Sequence, residues 1–284
     1  MSRSAILAVA LALAAPAAFA RPAPADPAQV VAAEHAFAAD GLAMGIKQSF
    51  LKWSAPEAIL FAPDPVKAHD LYGPRPDRPG KPLVWWPVWA GIARSGDLGF
   101  TSGPSTYDGQ PNAWYFTVWS RQADGGWKWI YDGGVDADLS HAPPQGSAPV
   151  YFAPATGPSL YPEHAWSQVK TAEAALAVKA HDDLAAAYAP VLTRQTRMQG
   201  SPAAPATTPD AVQAELAARA KAMDFAPLGG STSMAGDLAW TYGDAHWAAK
   251  DGPARGHYVR VWRHDRAGWR LVFDQILAVP APKP

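Results

Sequence analysis

Trp240, Tyr242, Asp244 and His246 alternate with smaller residues, so on an extended strand their side chains share one face. His257 opens the next extended run, beyond a turn at Asp251-Gly252, and a regular hairpin would bring it close to His246. Two imidazoles, a carboxylate and a phenol are enough for general acid–base chemistry. As metal ligands, two His and one carboxylate make a thin set, and no metal site is assigned. The competing reading is a polar, solvated outer strand face.

Two further pairs of carboxylates stand out. Asp132 and Asp274 each end an apolar run, Trp127 to Asp132 and Trp269 to Asp274. Strict alternation places Asp132 with Ile130 and Asp274 with Val272. At the mouth of an apolar pocket such a carboxyl has its pKa raised and can serve as a base. Alternatively it caps the turn that follows, near Gly133-Gly134. Glu34 and Glu173 sit beside the apolar stripe of two helical segments, either reaching a pocket or held by a Trp, Tyr or Arg donor. Nucleophile elbows, phosphate loops and dinucleotide fingerprints are absent from the sequence, and no cofactor is indicated.

The elements that must position these groups occur twice. Gly96-Asp97-Leu98 recurs 140 residues on as Gly236-Asp237-Leu238. Trp85-x-Pro87 and Phe225-x-Pro227 share that offset, and Tyr115-x-x-Val118-Trp119 returns as Tyr258-x-x-Val261-Trp262. Gln29-Val30-x-x-Ala33-Glu34 matches Gln168-Val169-x-x-Ala172-Glu173. Conserved order and spacing over this distance imply a tandem duplication, with one domain per copy. The bounds are 26–138 and 163–279, joined by a Pro/Gly/Ser-rich linker over 139–162. Trp119 and Trp262 should then be buried alike. The His/Tyr/Asp strand has Phe100, Ser102, Pro104, Thr106 and Trp114 at the matching places of the first copy, so its chemistry would belong to the second copy alone.

Each copy opens with a helix. In the first, Asp26 can cap it, and Val30, Phe37, Met44 and Leu51 form a stripe that should end before Pro56. In the second, Glu163 to Tyr188 is the counterpart, with His181-Asp182-Asp183 in mid-helix. A short helix over Pro209 to Met223, capped by Thr208, has a Pro-rich loop from Pro63 to Pro82 in its place in the first copy. Strands follow, rich in aromatic and β-branched residues and punctuated by Asp108-Gly109, Asp124-Gly125-Gly126 and Asp251-Gly252. Helices followed by an antiparallel meander make an α+β fold.

Composition narrows the setting. Hydrophobic residues are 49% and charged residues 17%, a globular balance, and the formal net charge of −1 offers no field for nucleic acid. Thirteen Trp supply either two aromatic cores or a pocket for an apolar ligand. Residues 1–20 read as an export signal: Arg3, an apolar run from Ala5 to Ala15 too short to span a bilayer, and Ala18-Phe19-Ala20 before Arg21. That reading makes the mature chain periplasmic or secreted, with no membrane contact after signal removal. The absence of Cys excludes disulfides, thiolate nucleophiles and Cys-based zinc sites.

The motifs Ala33-Glu34-x-Ala36-Phe37-Ala38, Trp86-x-Val88-Trp89 ahead of Ser95-Gly96-Asp97-Leu98-Gly99, and the closing Tyr-x-x-Val-Trp and Trp-x-x-x-x-Asp strands resemble the nuclear-transport-factor-2-like superfamily. Within it the chain is most similar to the domain-of-unknown-function 4440 branch. The resemblance implies two cones, each a curved antiparallel sheet wrapped around N-terminal helices with a pocket at its open end. It also implies either a binding or scaffold role for a small apolar ligand, or an isomerase, dehydratase or cyclase. Members often dimerise through the sheet face, so two copies could form an intramolecular pseudo-dimer. Trp85, Trp89, Trp114, Tyr115, Tyr242, His257, Glu34 and Glu173 are the expected ligand-facing residues. Asp132, Asp274, Asp244 and His246 are the catalytic candidates.

Overall fold

A computed structural model describes residues 25–76 and 80–280. The export signal lies outside the described residues. The first half runs α1 (Ala28–Met44), α2 (Ile46–Trp53), β1 (Ser54–Phe61), β2 (Pro65–Lys67), α3 (Ala68–Tyr72), β3 (Leu83–Trp85), β4 (Trp89–Ile92), β5 (Leu98–Tyr107), β6 (Gln110–Arg121), β7 (Trp127–Val135) and β8 (Val150–Tyr151). The second half runs α4 (Pro162–Ala180), α5 (Leu184–Tyr188), β9 (Arg197–Gln199), α6 (Pro209–Ala218), β10 (Asp224–Thr232), β11 (Leu238–Ala249), β12 (Gly252–Asp265) and β13 (Gly268–Ala278). Among the described residues no helix is long and apolar enough to cross a membrane.

The fold is α+β, but its sheets are mixed where a purely antiparallel meander was expected. One sheet is ordered β2-β1-β7-β6-β5-β4-β8, with β3 also on β5, and the other β10-β11-β12-β13-β9. β5-β6-β7 and β10-β11-β12-β13 are antiparallel runs, whereas β1 lies parallel to β7, β8 to β4, and β9 to β13. These parallel strands come from segments without a period-2 pattern. β8 falls inside the expected linker, and Phe152 just after it is buried between the sheets. Asp108 and Gly109, both at positive φ, close the β5–β6 hairpin as a type I′ turn requires.

Both long helices break where the stripe reading ran on. Gly45 at φ +85 separates α1 from α2, so Met44 is exposed rather than part of a continuous stripe. Asp183 accepts the Ala186 amide and starts α5, so His181-Asp182-Asp183 is a helix break and His181 pairs with Asp224 at the surface. Asp26 accepts the Ala28 amide, and Thr208 caps α6 as its spacing predicts.

Three clusters form the core. One is the first half's own, with Phe37, Phe50, Trp119 and Trp129 beneath α1 and α2. Another is the second half's, with Val169, Leu176, Tyr258 and Trp262. The third lies between the sheets: Trp89, Phe100, Phe116 and Tyr131 meet Trp240, Val259, Val261 and Phe273. Phe116 stacks on Phe273 at 3.7 Å between ring centroids. Trp119 and Trp262 are both at 0% exposure. The repeated Gly-Asp turns touch each other here. The Arg94 amide donates to Asp237 at 3.1 Å, and the Met234 amide donates to Asp97 at 2.9 Å. Residues 94 and 234, like 97 and 237, are 140 apart, so the contact is reciprocal, as across a two-fold axis.

Candidate functional site

Within each half, the middle of the sheet aligns three inward-facing residues on neighbouring strands. The first half has Thr101, Thr117 and Asp132, and the second has Thr241, Arg260 and Asp274. The last strand reaches this row through a bulge. Ile130 is the extra residue against Val118-Trp119, and Val272 the extra one against Val261-Trp262. Strict alternation is thereby overturned. Asp274 lies on the face of Leu271 and Ile276, in that half's own core, while Val272 turns to the other sheet.

In the first half the row opens onto a cavity of about 270 Å³ lined by Phe37, Phe50, Leu83, Trp85, Tyr115 and Asp132, with Ser105 and Asn112 at one end. Glu34, fully buried on α1, accepts from Trp85 Nε1 at 2.5 Å, Trp119 Nε1 at 3.1 Å and the Thr101 hydroxyl. Burial pushes the Glu34 carboxyl up to about 7 against these hydrogen bonds. Asp132 accepts from Thr117 Oγ1 at 2.7 Å. Burial pushes it up to about 8, opposed by that hydrogen bond and reinforced by the charge of Glu34. Tyr115 Oη is buried with no protein partner among the described residues, and burial raises its pKa. The site is thus an aromatic pocket whose wall carries a carboxyl with a raised pKa and a phenol without a hydrogen-bond partner. A wider groove of about 660 Å³ beside it shares Leu83 but none of the inner row.

The second half fills the equivalent space. Arg260, at 0% exposure, donates through Nε to Asp274 at 2.8 Å, through Nη1 to Glu173 at 2.7 Å and through Nη2 to Tyr188 Oη at 2.9 Å. Its guanidinium lies 3.9 Å from the Tyr258 ring centroid and 4.2 Å from that of Phe225. Arg219 of the α6 C-terminus adds a second cation on Asp274, and Tyr188 donates to the same carboxylate at 2.7 Å. Burial works against the Asp274 anion, yet Arg219 and Arg260 hold its pKa below the ordinary carboxylate value. Glu173 also receives Thr241, Trp262 and Tyr258.

The structure therefore separates the residues singled out in the sequence. Glu34, Trp85, Tyr115 and Asp132 gather at the first cavity. Trp89 lies in the core between the sheets, 4.4 Å from the Arg197 guanidinium, and Trp114 donates to Ser102 instead of lining the cavity. Glu173 and Asp274 belong to the filled half. Tyr242 stacks on Trp240 toward the other sheet. Asp244, His246 and His257 line a crevice of about 340 Å³ with Asp64 and Arg255. There His257 Nδ1 meets Asp244 at 2.9 Å and Nε2 meets Asp64 at 3.1 Å, joining the two halves. Among the described residues no group of three or more His, Cys, Asp or Glu is arranged to hold a metal ion.

Sequence reasoning missed Arg260, Arg219, Tyr188 and Thr117. One signal was present: Tyr115-x-Thr117 aligns with Tyr258-x-Arg260, an arginine placed within an aromatic strand.

No family model matches the chain, and no curated protein does. Among solved structures it is similar to a ketosteroid isomerase-like protein from Erwinia carotovora atroseptica, at 14% identity over 40% of this chain and 96% of that one, with a TM-score of 0.36. An NTF2-like protein of unknown function from Pseudomonas putida matches at 15% identity over 44% of this chain and 100% of that one, TM-score 0.36. A cystatin-like fold protein of unknown function from Nostoc punctiforme matches at 11% identity over 41% and 92%, TM-score 0.34.

Proposed function

We propose that the chain is an exported, duplicated nuclear-transport-factor-2-like protein whose first copy binds a small apolar molecule and whose second copy serves as a scaffold. The observation that carries this reading is the contrast along the inner row. Thr117 leaves a cavity beside Asp132, whose pKa is raised, whereas Arg260 occupies the corresponding place and bonds to Asp274, Glu173 and Tyr188. The reciprocal Arg94–Asp237 and Met234–Asp97 contacts support two copies packed as a pseudo-dimer, and the matching anchors on Glu34 and Glu173 support their common descent. Membership of the domain-of-unknown-function 4440 branch rests on the sequence motifs, as does export.

The cavity suits a neutral ligand of one or two rings. An apolar cavity of roughly 150 Å³ holds benzene, and this one is larger and carries two hydrogen-bonding groups. A second reading, catalysis by Asp132 as a general base in an isomerase, dehydratase or cyclase reaction, is favoured by its raised pKa beside the Tyr115 phenol. Native mass spectrometry of the mature protein tests the primary reading. One bound small molecule per chain is expected, lost in Ala113→Phe, which fills the cavity. Two bound molecules, or one that survives Ala113→Phe, would contradict it. N-terminal sequencing of the exported product should begin at Arg21.

A further inference from the structure

Glu34 and Asp132 face each other across Thr117 without a cation. Neither makes an ion pair among the described residues, whereas Arg260 at the middle of the second row bridges the equivalent Glu173 and Asp274. The charge of Asp132 is felt by Glu34 of α1, Tyr72 of α3 and Tyr115 of β6, and by Tyr131 of its own strand, whose ring turns to the opposite face between the sheets. Every one of these is neutral or negative. Two ionised carboxylates in such surroundings repel each other and are poorly solvated, so the pair cannot ionise independently.

We propose that Glu34 and Asp132 act as one acid–base unit, holding a single proton between them near neutral pH, with Glu34 positioning that proton on the cavity-facing Asp132. The assignment rests on reading the first-half cavity as the working site. The direction follows from the hydrogen bonds. Trp85, Thr101 and Trp119 donate to Glu34, and one hydroxyl, Thr117, donates to Asp132. Glu34, with the larger set of hydrogen-bond donors, gives up its proton first, and its negative charge then holds the remaining proton on Asp132. Asp132 can thus donate a hydrogen bond to a carbonyl or hydroxyl oxygen in the cavity. It becomes a base only when a ligand or a rise in pH removes that last proton. Glu34 is a positioning residue, since it acts on the cavity through Asp132 and does not line it.

The test is a carboxyl-carbon NMR titration of the full chain without ligand, comparing wild type, Glu34→Gln and Glu34→Asp. Asp132 should titrate about one pH unit lower in Glu34→Gln, and Glu34→Asp should restore the higher value. An unchanged Asp132 midpoint in a Glu34→Gln protein with a native amide spectrum would overturn the pairing. Should Glu34→Gln not fold, the wild-type curves decide. A coupled pair makes the Asp132 carbon respond at the Glu34 step as well as at its own, and two independent single-step curves overturn the proposal. Because ligand is absent, coupled titration in a protein that binds nothing refutes only the binding reading. Binding with uncoupled titration refutes only the pair.

Discussion

Thr117 and Arg260 each stand at the middle of a row of three residues, Thr101-Thr117-Asp132 in one sheet and Thr241-Arg260-Asp274 in the other, and the two rows manage their carboxyls in opposite ways. In the first, Glu34 and Asp132 stay partly protonated and border a cavity. In the second, Glu173 and Asp274 are neutralised by Arg260 and Arg219, which occupy the volume. A buried carboxyl without a cation keeps its proton and remains available to a ligand. One paired with a buried cation is committed to the fold. The anchors match, Trp119 on Glu34 and Trp262 on Glu173, so the difference lies in the middle of the row and in the Tyr188 and Arg219 side chains that reach it from α5 and the end of α6.

Breaking the row should expose this contrast most strongly in the second half. Arg260→Met leaves Glu173 and Asp274 short of a buried partner and should cost about 3–5 kcal/mol in urea denaturation, or prevent folding. Thr117→Val removes one hydrogen bond and should cost about 1 kcal/mol. Equal losses at the two positions would contradict the assigned roles.

The pH dependence should also divide by half. The carboxyls of Glu34 and Asp132 are raised in the folded chain, from 4.5 to about 7 and from 3.8 to about 8. The folded state therefore binds more protons than the unfolded one, and stability falls as pH rises from about 4 to about 8. For Glu34 alone the full effect is on the order of 3 kcal/mol. Asp274 is lowered, so its contribution is present above its ordinary value of 3.8 and fades as pH falls below it. Thermal midpoints measured from pH 4 to 9 should fall in the wild type across the neutral range. They should flatten there in a Glu34→Gln/Asp132→Asn double variant.

A smaller effect sharpens the pseudo-symmetry. Asp237 is buried and accepts from Arg94 and Ser233, while Asp97, its counterpart, is only partly buried. Asp237→Ala should cost about 2 kcal/mol and Asp97→Ala less than about 1 kcal/mol. A larger loss at Asp97 would mean that the reciprocal contact is not held as described.

The turns and buried tryptophans were legible because their markers are local. Gly-Asp turns, the Asp108-Gly109 hairpin and the spacing of Trp119 and Trp262 carry their conformational reasons within a few residues. The bulges at Ile130 and Val272 carried no such mark, and they decide which way Asp132 and Asp274 point. The helix breaks at Gly45 and Asp183 overrode a stripe that continued in sequence. Of the expected site residues, Trp85, Tyr115 and Asp132 line one cavity, with Glu34 bonded to Trp85 behind it. That Asp274 is closed off depends on Tyr188 and Arg219, which come from α5 and the end of α6. Of the carboxylates, the sequence likewise places only Asp244 near His257, and the fold adds Asp64, 193 residues away, against its second nitrogen.

The most direct test is a crystal structure of the protein under xenon pressure, since xenon enters dry apolar cavities and reports empty volume without need of the natural ligand. The account predicts xenon among Phe37, Phe50 and Trp85 in the first half and none between Glu173 and Asp274 in the second. Xenon in both halves, or only in the second, would contradict it.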